Sequence, residues 1–263
     1  WGKNVRETEA MIKDELGDKR VRVASIGQAG ENLVRIASVI HEERAAARTG
    51  MGAVMGSKKL KAVAVRGSQE VPLFDPEGFN RYAKELQKKI GASSAYDHFR
   101  KKGGSTGTFG TDKAGFLAIR NFQQTGGFEG IENFEPLKVA GEYYKANKPC
   151  FGCPVGCGKK YEIKEGPFAG EWGNKIEEGA FTPLGPVCGN ANIASIFKMN
   201  NMGNQFGIDL IEFGAAASVA MEWYEKGVVS KKELDGLELT WGNYHAMMQL
   251  MEKIAFREGV GDI

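Results

Sequence analysis

Three cysteines lie within eight residues of one another, at Cys150, Cys153 and Cys157. Thiolates at this C-x2-C-x3-C spacing, with glycine and proline between them, can curl round one centre, and glycine N–H groups can donate to sulfur. A [4Fe-4S] cluster needs four ligands, so the fourth is either Cys188 or a residue outside this sequence. Zinc and unliganded thiols are the alternatives, and none of the three histidines is close to the cysteines along the chain.

A second segment has the composition of an anion-binding loop. Gly50, Gly52 and Gly56 lie within seven residues, with Arg48 before them and Lys58 after them. Backbone N–H groups of such a segment can cradle a phosphate, and the flanking cations can neutralise it. The segment is not a P-loop, because G-x4-G-K-[ST] is absent. It is not a dinucleotide fingerprint either, because we predict that the glycines follow a helix. A tight helix-to-strand connection is the competing interpretation.

The composition excludes several classes of protein. The 263 residues include 35 Lys and Arg against 33 Asp and Glu, so the formal net charge is only +2, which argues against a nucleic-acid-binding protein. No apolar run approaches the ~18–20 residues of a membrane-spanning helix. Aromatic residues make up 10% of the chain, so we do not expect disorder. Glycine occurs 36 times, roughly twice its ordinary frequency, which predicts many tight turns or close backbone contacts.

The hydrophobic pattern predicts a small α/β portion followed by a mainly helical portion. Strands are predicted over 20–26 and 59–66, with a turn at 27–30 and a glycine-rich loop at 103–110. Helices are predicted over 4–17, 32–48, 77–91, 139–147, 191–204, 208–227 and 243–258. Gly259 has the character of a helix C-cap close to the last residue, and the first residue is not Met, so we expect this sequence to be a piece of a longer chain.

Five segments together resemble the aldehyde:ferredoxin oxidoreductase family of tungsten-pterin enzymes. Residues 26–35 look like the family's IGxAGENxVR segment, and residues 44–58 are similar to its RAAGRxGxGAVMGSK segment. Residues 120–123 match the TRNFQ stretch, and the three clustered cysteines match three of four cluster ligands. Residues 204–209 resemble the first of two DxxGxD-like pterin loops. The five segments also occur in the family's order.

The resemblance implies an α+β fold and a fragment of a larger enzyme. Residues 1–70 would be the end of a small β-rich pterin-binding α/β domain. Residues 71–263 would be a mainly α-helical domain that carries the iron–sulfur cysteines and a pterin loop.

The resemblance also implies roles for individual residues. Cys150, Cys153 and Cys157 would hold a [4Fe-4S] cluster, and Glu177 or Glu178 would line the substrate pocket beside a tungsten bis-pterin of the molybdopterin type. The residues that would approach the two pterins are Arg48, Thr49, Gly50, Gly52, Asn204, Gly207 and Asp209. Independently of the family, His98 is a candidate acid/base group near the 103–110 loop, and a surface helix residue is the alternative for it.

Two positions depart from the family pattern. The pterin loop begins with Asn204 instead of aspartate, so it can accept a hydrogen bond without bringing negative charge. Cys188 offers a soft thiolate that could bind tungsten, an arrangement similar to the benzoyl-CoA reductase branch of the family. A small buried residue beside the cofactor is the alternative for Cys188.

The functions that follow fall into three kinds. The first is two-electron oxidation of an aldehyde to a carboxylic acid, with electrons passed through the cluster to ferredoxin or an iron–sulfur partner subunit. The second is reduction of an aromatic thioester, an acyl-CoA, at the same kind of centre. The third is a zinc-bearing binding module without enzymatic activity. The family resemblance further implies an oligomer in an anaerobic cytoplasm.

Overall fold

The computed structural model describes residues 1–262 and confirms the α+β class. The α-helices of this part of the chain are α1 (Val5–Glu15), α2 (Gln28–Glu31), α3 (Met51–Ser57), α4 (Pro76–Gly91), α5 (Ser94–Lys102), α6 (Ser105–Lys113), α7 (Pro136–Tyr143), α8 (Glu178–Leu184), α9 (Ile193–Phe206), α10 (Leu210–Glu225) and α11 (Tyr244–Phe256). Short 3₁₀ helices span Ile131–Phe134, Pro186–Cys188 and Gly259–Asp262.

The strands form three separate antiparallel sheets. They are β1 (Arg22–Ser25), β2 (Val39–His41), β3 (Arg44–Ala46), β4 (Ala62–Val65), β5 (Ala118–Ile119), β6 (Gln124–Thr125), β7 (Tyr144–Asn147), β8 (Lys159–Glu162) and β9 (Trp172–Asn174). The sheet orders are β3-β2-β1-β4, β5-β6 and β7-β8-β9. No helix of the described residues is long and apolar enough to cross a membrane.

The predicted helix over 32–48 is wrong, because this stretch forms the β2–β3 hairpin. Ile40 pairs with Ala45, and His41 pairs with Arg44. The turn between the strands is made by Glu42 and Glu43, which both have positive φ, at 48° and 59°. Two-residue hairpin turns require such backbone angles. No glycine marks this turn, so the sequence pattern concealed it.

The glycine-rich segment after the hairpin opens helix α3 instead of following a helix. Gly50 is the N-cap, with φ at +69°. Gly52 and Gly56 lie four residues apart on the face that packs against the preceding chain. A Cβ on Gly56 would lie only 1.8 Å from the carbonyl oxygen of Gly30, and a Cβ on Gly52 would lie 2.7 Å from that of Ser38. These two glycines therefore allow a close backbone contact.

The predicted loop over 103–110 is also wrong, because most of it lies in helix α6. Two of its glycines, Gly104 and Gly107, pack against the start of α8. A Cβ on Gly104 would lie 2.5 Å from Cα of Glu177, and a Cβ on Gly107 would lie 2.2 Å from the carboxylate of Glu178. Tertiary packing therefore stabilises a helix that glycine propensity alone disfavours.

Other predicted elements agree with the structure to within a few residues, with three differences. The turn predicted over 27–30 is instead the short helix α2. The helix predicted over 139–147 ends at Tyr143, and the chain continues as strand β7. The C-cap of α11 is Arg257, in the left-handed conformation, whereas Gly259 begins the last 3₁₀ helix.

The main hydrophobic core lies among α8, α9, α10 and α11, where side chains such as Phe181, Phe197, Phe213 and Met251 are fully buried. The N-terminal sheet is joined to this helical part by backbone hydrogen bonds. Ser38 N donates to the Gly207 carbonyl at 2.7 Å, and Asp209 N donates to the Ile36 carbonyl at 2.9 Å. The segment between α9 and α10 therefore faces the hairpin.

Candidate functional site

A polar cavity of about 170 Å³ lies where the hairpin, the start of α8 and the α9–α10 connection meet. Four residues predicted as site residues line it, namely Arg48, Glu177, Asn204 and Asp209. The charged and amide side chains that line it include Arg44, Arg48, Lys175, Glu177, Asn204 and Asp209. The structure therefore brings Arg48 of the 44–58 segment close to Asn204 and Asp209 of the segment that resembles a pterin loop.

Asp209 supplies this cavity with a hydrogen-bond acceptor, its Oδ2 atom. Its Oδ1 caps α10, because it accepts from the backbone N–H of Ile211 at 2.9 Å and of Glu212 at 3.4 Å. Its Oδ2 is buried and has no hydrogen-bond partner within the described chain. A buried carboxylate oxygen without a partner is costly. This atom is therefore suited to accept an N–H group of a bound ligand.

The other residues of this loop have different roles. Asn204 is buried at the end of α9 and lines the cavity. Gly207 is the C-cap of α9, with φ at +73°, and a Cβ there would lie 2.8 Å from Gly27 N. Glycine at this position therefore serves the backbone contact with the N-terminal part.

Arg44 connects the cavity to the cysteine loop. Its guanidinium donates to Sγ of Cys150 at 2.8 Å and forms an ion pair with Glu177. Burial of Arg44 opposes its positive charge, but the hydrogen bonds to Cys150 and Glu177 outweigh that effect and raise its pKa. Glu177 itself keeps a second buried oxygen, Oε1, without a partner in residues 1–262.

Cys150, Cys153 and Cys157 lie on one loop between β7 and β8, half-buried and without disulfides. Gly152 and Gly156 turn this loop, with φ at +68° and +64°. Burial raises the pKa of the Cys157 thiol, and the nearby Glu177 carboxylate raises it further. In residues 1–262 no three His, Cys, Asp or Glu side chains are grouped closely enough to hold a single metal ion.

Cys188 lies apart from this loop. It ends the 3₁₀ helix Pro186–Cys188, is fully buried in the core, and its thiol contacts the carbonyl oxygen of Gly214 at 3.4 Å. Burial raises the pKa of this thiol strongly. This environment suits a small buried residue. Cys188 belongs to the main hydrophobic core, whereas the other three cysteines are only half-buried.

The predicted cofactor-binding residues before and at the start of α3 lie in different environments. Arg48 lines the polar cavity, whereas Thr49 is exposed, with φ at +80°. Gly50 is buried, and a Cβ there would lie 2.5 Å from the Arg35 carbonyl. Gly52 packs on the Ser38 backbone, as described above. Of these four predicted cofactor-binding residues, only Arg48 has its side chain at the cavity.

Of the predicted catalytic residues, Glu177 lines the polar cavity and Glu178 lines a neighbouring apolar one. His98 lies on α5, half-buried, with its ring against Phe99 at 5.5 Å. It lines neither cavity, and this placement favours the alternative of a helix surface residue.

Sequence reasoning missed two cations of the site, Arg44 and Lys175. Lys175 is nearly fully buried, and its Nζ lies 3.8 Å from the closest carboxylate oxygen, on Glu42. That separation is too long for a hydrogen bond. Arg44 is the first residue of the recognised 44–58 segment, so its position could have indicated a role in the site. Lys175 lies outside every recognised segment, so no sequence pattern indicated its role.

Comparisons with known proteins agree along the whole chain. The family model "Aldehyde ferredoxin oxidoreductase, domains 2 & 3" matches residues 81–263, and "Aldehyde ferredoxin oxidoreductase, N-terminal domain" matches residues 1–67. The tungsten-containing aldehyde ferredoxin oxidoreductases of Pyrococcus furiosus and Thermococcus kodakarensis are 40% and 39% identical to the chain, in alignments 271 and 276 positions long. Each alignment covers all of this chain and 43% of the relative.

Two further similarities are more distant. The aliphatic sulfonate oxidoreductase, WOR-like subunit, of Pyrococcus furiosus is 31% identical over 90% of the chain and 38% of its own length. Among solved structures, the active-site complex BamBC of benzoyl coenzyme A reductase with 1,5-dienoyl-CoA superposes with a TM-score of 0.81 at 25% identity. That match covers 99% of this chain and 40% of the other.

Proposed function

The chain belongs to the aldehyde ferredoxin oxidoreductase family, and from this premise we propose that it forms part of a tungstopterin oxidoreductase that converts an aldehyde to a carboxylic acid. The overall reaction takes up water and releases two electrons and two protons. The chain spans 43% of the length of its tungsten-containing relatives, so the proposal concerns the whole protein that carries this region.

The observation that carries the proposal is the position of Arg44 between the cysteine loop and the polar cavity. One guanidinium contacts both Cys150 and Glu177. An enzyme that passes electrons from a substrate site to an iron–sulfur cluster needs these two centres side by side. The arrangement supports such a pair within this region.

The donor set of the cavity fits a pterin cofactor. The unpartnered oxygens Asp209 Oδ2 and Glu177 Oε1 can accept the N–H groups of a pterin ring. Arg48 and the buried Lys175 can neutralise an anionic phosphate. When bound, the tungsten bis-pterin supplies the two-electron redox chemistry. At about 170 Å³ the cavity receives only an edge of so large a group.

Within this scheme the chain's own residues position the cofactor and handle a proton. Asp209 and Asn204 orient the pterin edge from the α9–α10 connection. Glu177, at the N-cap of α8, holds or releases a proton beside the substrate carbonyl through its free Oε1. Its other oxygen stays paired with Arg44.

The cysteine loop has the donor chemistry for three ligands of a [4Fe-4S] cluster. The three cysteines form no disulfide, they share one short loop, and Arg44 donates a hydrogen bond to Cys150. A donor to a ligating sulfur can stabilise the reduced form of such a cluster. We propose ferredoxin or an iron–sulfur subunit in an anaerobic cytoplasm as the electron acceptor, as the family resemblance implies.

The benzoyl-CoA reductase similarity supports a second candidate, reduction of an aromatic thioester. That candidate relied on the Cys188 thiolate as a tungsten ligand. The buried thiol beside the Gly214 carbonyl does not favour such a role. Aldehyde oxidation is therefore the function we propose first. The oxidoreductase relatives likewise argue against a zinc-bearing binding module.

Metal and sulfide analysis of the protein, purified anaerobically in its natural form, tests this proposal. We expect tungsten, about four irons and acid-labile sulfide per chain, together with aldehyde-dependent reduction of a viologen dye. Zinc near one per chain without tungsten or sulfide would overturn it. Reduction of benzoyl-CoA by a low-potential donor, without aldehyde oxidation, would select the second candidate.

A further inference from the structure

Lys159, the first residue of β8, is buried although it is charged. Only 2% of its surface is exposed, whereas its neighbour Lys160 on the same strand is exposed. The Lys159 Nζ donates to two uncharged acceptors, the Arg100 carbonyl oxygen and Oδ1 of Asn147, the latter at 2.6 Å. No carboxylate among residues 1–262 pairs with it. Lysine is almost never fully buried unless it is paired, so the positive charge of Lys159 is uncompensated within this part of the chain.

Lys159 lies at the base of the cysteine loop, two residues after Cys157. The loop is closed by a hydrogen bond of 2.7 Å from Lys148 N to the Gly158 carbonyl oxygen. Asn147 and Lys159 flank these two closing residues, and the hydrogen bond between their side chains lies next to the closure. The buried ammonium is therefore held where the two ends of the loop meet.

Two further observations relate Lys159 to the loop. Arg100, whose carbonyl accepts from Lys159, also donates from its guanidinium to the Val155 carbonyl within the loop, at 3.2 Å. Burial lowers the pKa of Lys159, and negative charge on the Cys157 sulfur opposes this effect. The ammonium and that sulfur are therefore close enough to interact electrostatically.

A buried positive charge beside an iron–sulfur cluster favours the reduced form of the cluster. Reduction adds one electron, and hence one negative charge, and net charge is among the factors that set the reduction potential. Charges interact more strongly in the protein interior than in water, where salt also screens them. Lys159 should therefore act on a cluster held by the neighbouring cysteines, whereas the exposed Lys160 should act much less.

We propose that Lys159 is the buried counter-charge of the [4Fe-4S] cluster and raises its reduction potential. The electron that reduces the cluster comes from the substrate and leaves to the acceptor, as proposed above. Lys159 shifts the energy of this transfer without being oxidised, reduced or deprotonated. This inference rests on the proposed function, because that function supplies the cluster.

Neutral replacement in the holoenzyme, purified anaerobically in its natural form, tests the role of the charge. Lys159→Met removes the charge but keeps a long, flexible side chain that suits a buried site. Lys160→Met is the matched control, because it removes the same charge from an exposed position on the same strand. We expect Lys159→Met to weaken electron uptake by the cluster about tenfold, which lowers the potential by about 59 mV, and Lys160→Met to leave it nearly unchanged. Potentiometric titration followed by EPR measures both.

Asn147→Asp separates the charge of Lys159 from its structural contacts. Aspartate has the shape of asparagine and keeps an acceptor for the Lys159 Nζ, but its negative charge neutralises the ammonium. The potential should therefore fall in Asn147→Asp as it does in Lys159→Met. A merely structural role for Lys159 would leave the potential of Asn147→Asp unchanged. That result would overturn the inference even if Lys159→Met fails to fold or to hold iron.

Iron and acid-labile sulfide analysis of the unmodified protein separates this inference from the proposed function. A cluster whose potential follows these variants, in a protein that oxidises no aldehyde, would support the role of Lys159 and overturn the proposed function. A cluster with the same potential in Lys159→Met as in the unmodified protein would overturn the inference alone. Absence of iron and sulfide from the unmodified protein would overturn both.

Discussion

Arg44 donates a hydrogen bond to Sγ of Cys150 at 2.8 Å, although the two residues are 106 positions apart in sequence. The contact exists because the β2–β3 hairpin carries Arg44 to the rim of the cysteine loop, where Glu177 pairs with the same guanidinium. Arg44 thereby contributes both to the electrostatics of the thiol and to the position of the carboxylate. A planar guanidinium can make both contacts at once, whereas an ammonium cannot reproduce that geometry.

Replacing Arg44 should change the redox properties of the proposed [4Fe-4S] cluster more than its assembly. A donor to a ligating sulfur favours the reduced cluster, which is more negative, so Arg44→Gln should lower the reduction potential. We expect some tens of millivolts, since a tenfold change in a one-electron equilibrium corresponds to about 59 mV. Potentiometric titration followed by EPR measures it. Arg20→Gln, which alters an exposed pair with Asp18, is the control. An unchanged potential in Arg44→Gln would refute the role.

The sequence predicted the long helices α4, α9, α10 and α11 well, because amphipathic periodicity and capping residues both mark them, whereas α5, α8 and the short strands β5 to β9 were not predicted. The helix predicted over 208–227 is observed as Leu210–Glu225, with Asp209 as its N-cap. The N-terminal part was predicted less well, because Glu42 and Glu43 adopt left-handed angles without a glycine to signal the turn. Helix α6 was missed because its glycines matter for contacts with Glu177 and Glu178, which are distant in sequence.

The residues of the candidate site likewise differ in how well the sequence predicts them. Asn204 and Asp209 stand within a recognised segment, Glu177 was implied only by the family resemblance, and all three line the polar cavity. Lys175 has no local pattern, and only folding brings its side chain to the cavity. Glu177 and Glu178 line different cavities, and this also depends on tertiary structure, since Ile211 on another helix lines both.

Asp209 should show separable effects on stability and on cofactor retention. Asparagine is as good an N-cap as aspartate, so Asp209→Asn should keep the melting temperature close to that of the unmodified protein while weakening pterin retention. Asp209→Ala should lose the cap as well, at about 1 kcal/mol. Thermal melts and the pterin content of the purified protein distinguish the two. Full pterin retention in both variants would rule out a cofactor role for Oδ2.

Gly56 should tolerate no side chain. Although alanine is the better helix former by about 1 kcal/mol, a Cβ at Gly56 would lie 1.8 Å from the backbone oxygen of Gly30. Gly56→Ala should therefore destabilise the protein by about 2 kcal/mol or more. Gly110→Ala, on α6 with nothing within 4 Å of the added Cβ, should be neutral or stabilising by up to about 1 kcal/mol. Denaturant midpoints compare them. Similar midpoints for both variants would show that the contact with Gly30 is not tight.

Asp235 should make the stability of the C-terminal segment depend on pH. Its carboxylate accepts from Val260 N at 2.6 Å and from Lys253 Nζ at 3.2 Å, and these contacts lower its pKa. A carboxyl whose pKa is lower in the folded state contributes stability above its unfolded pKa, near 3.8, and loses it as the pH falls through the folded value. Asp235→Asn keeps a residue that tolerates the observed φ of 52°. The variant should therefore be less stable than the unmodified protein at pH 6 to 7, and the difference should shrink steadily below about pH 4. Denaturant unfolding across this range measures it, and a difference that stays constant with pH would show that the Asp235 charge does not stabilise the folded state.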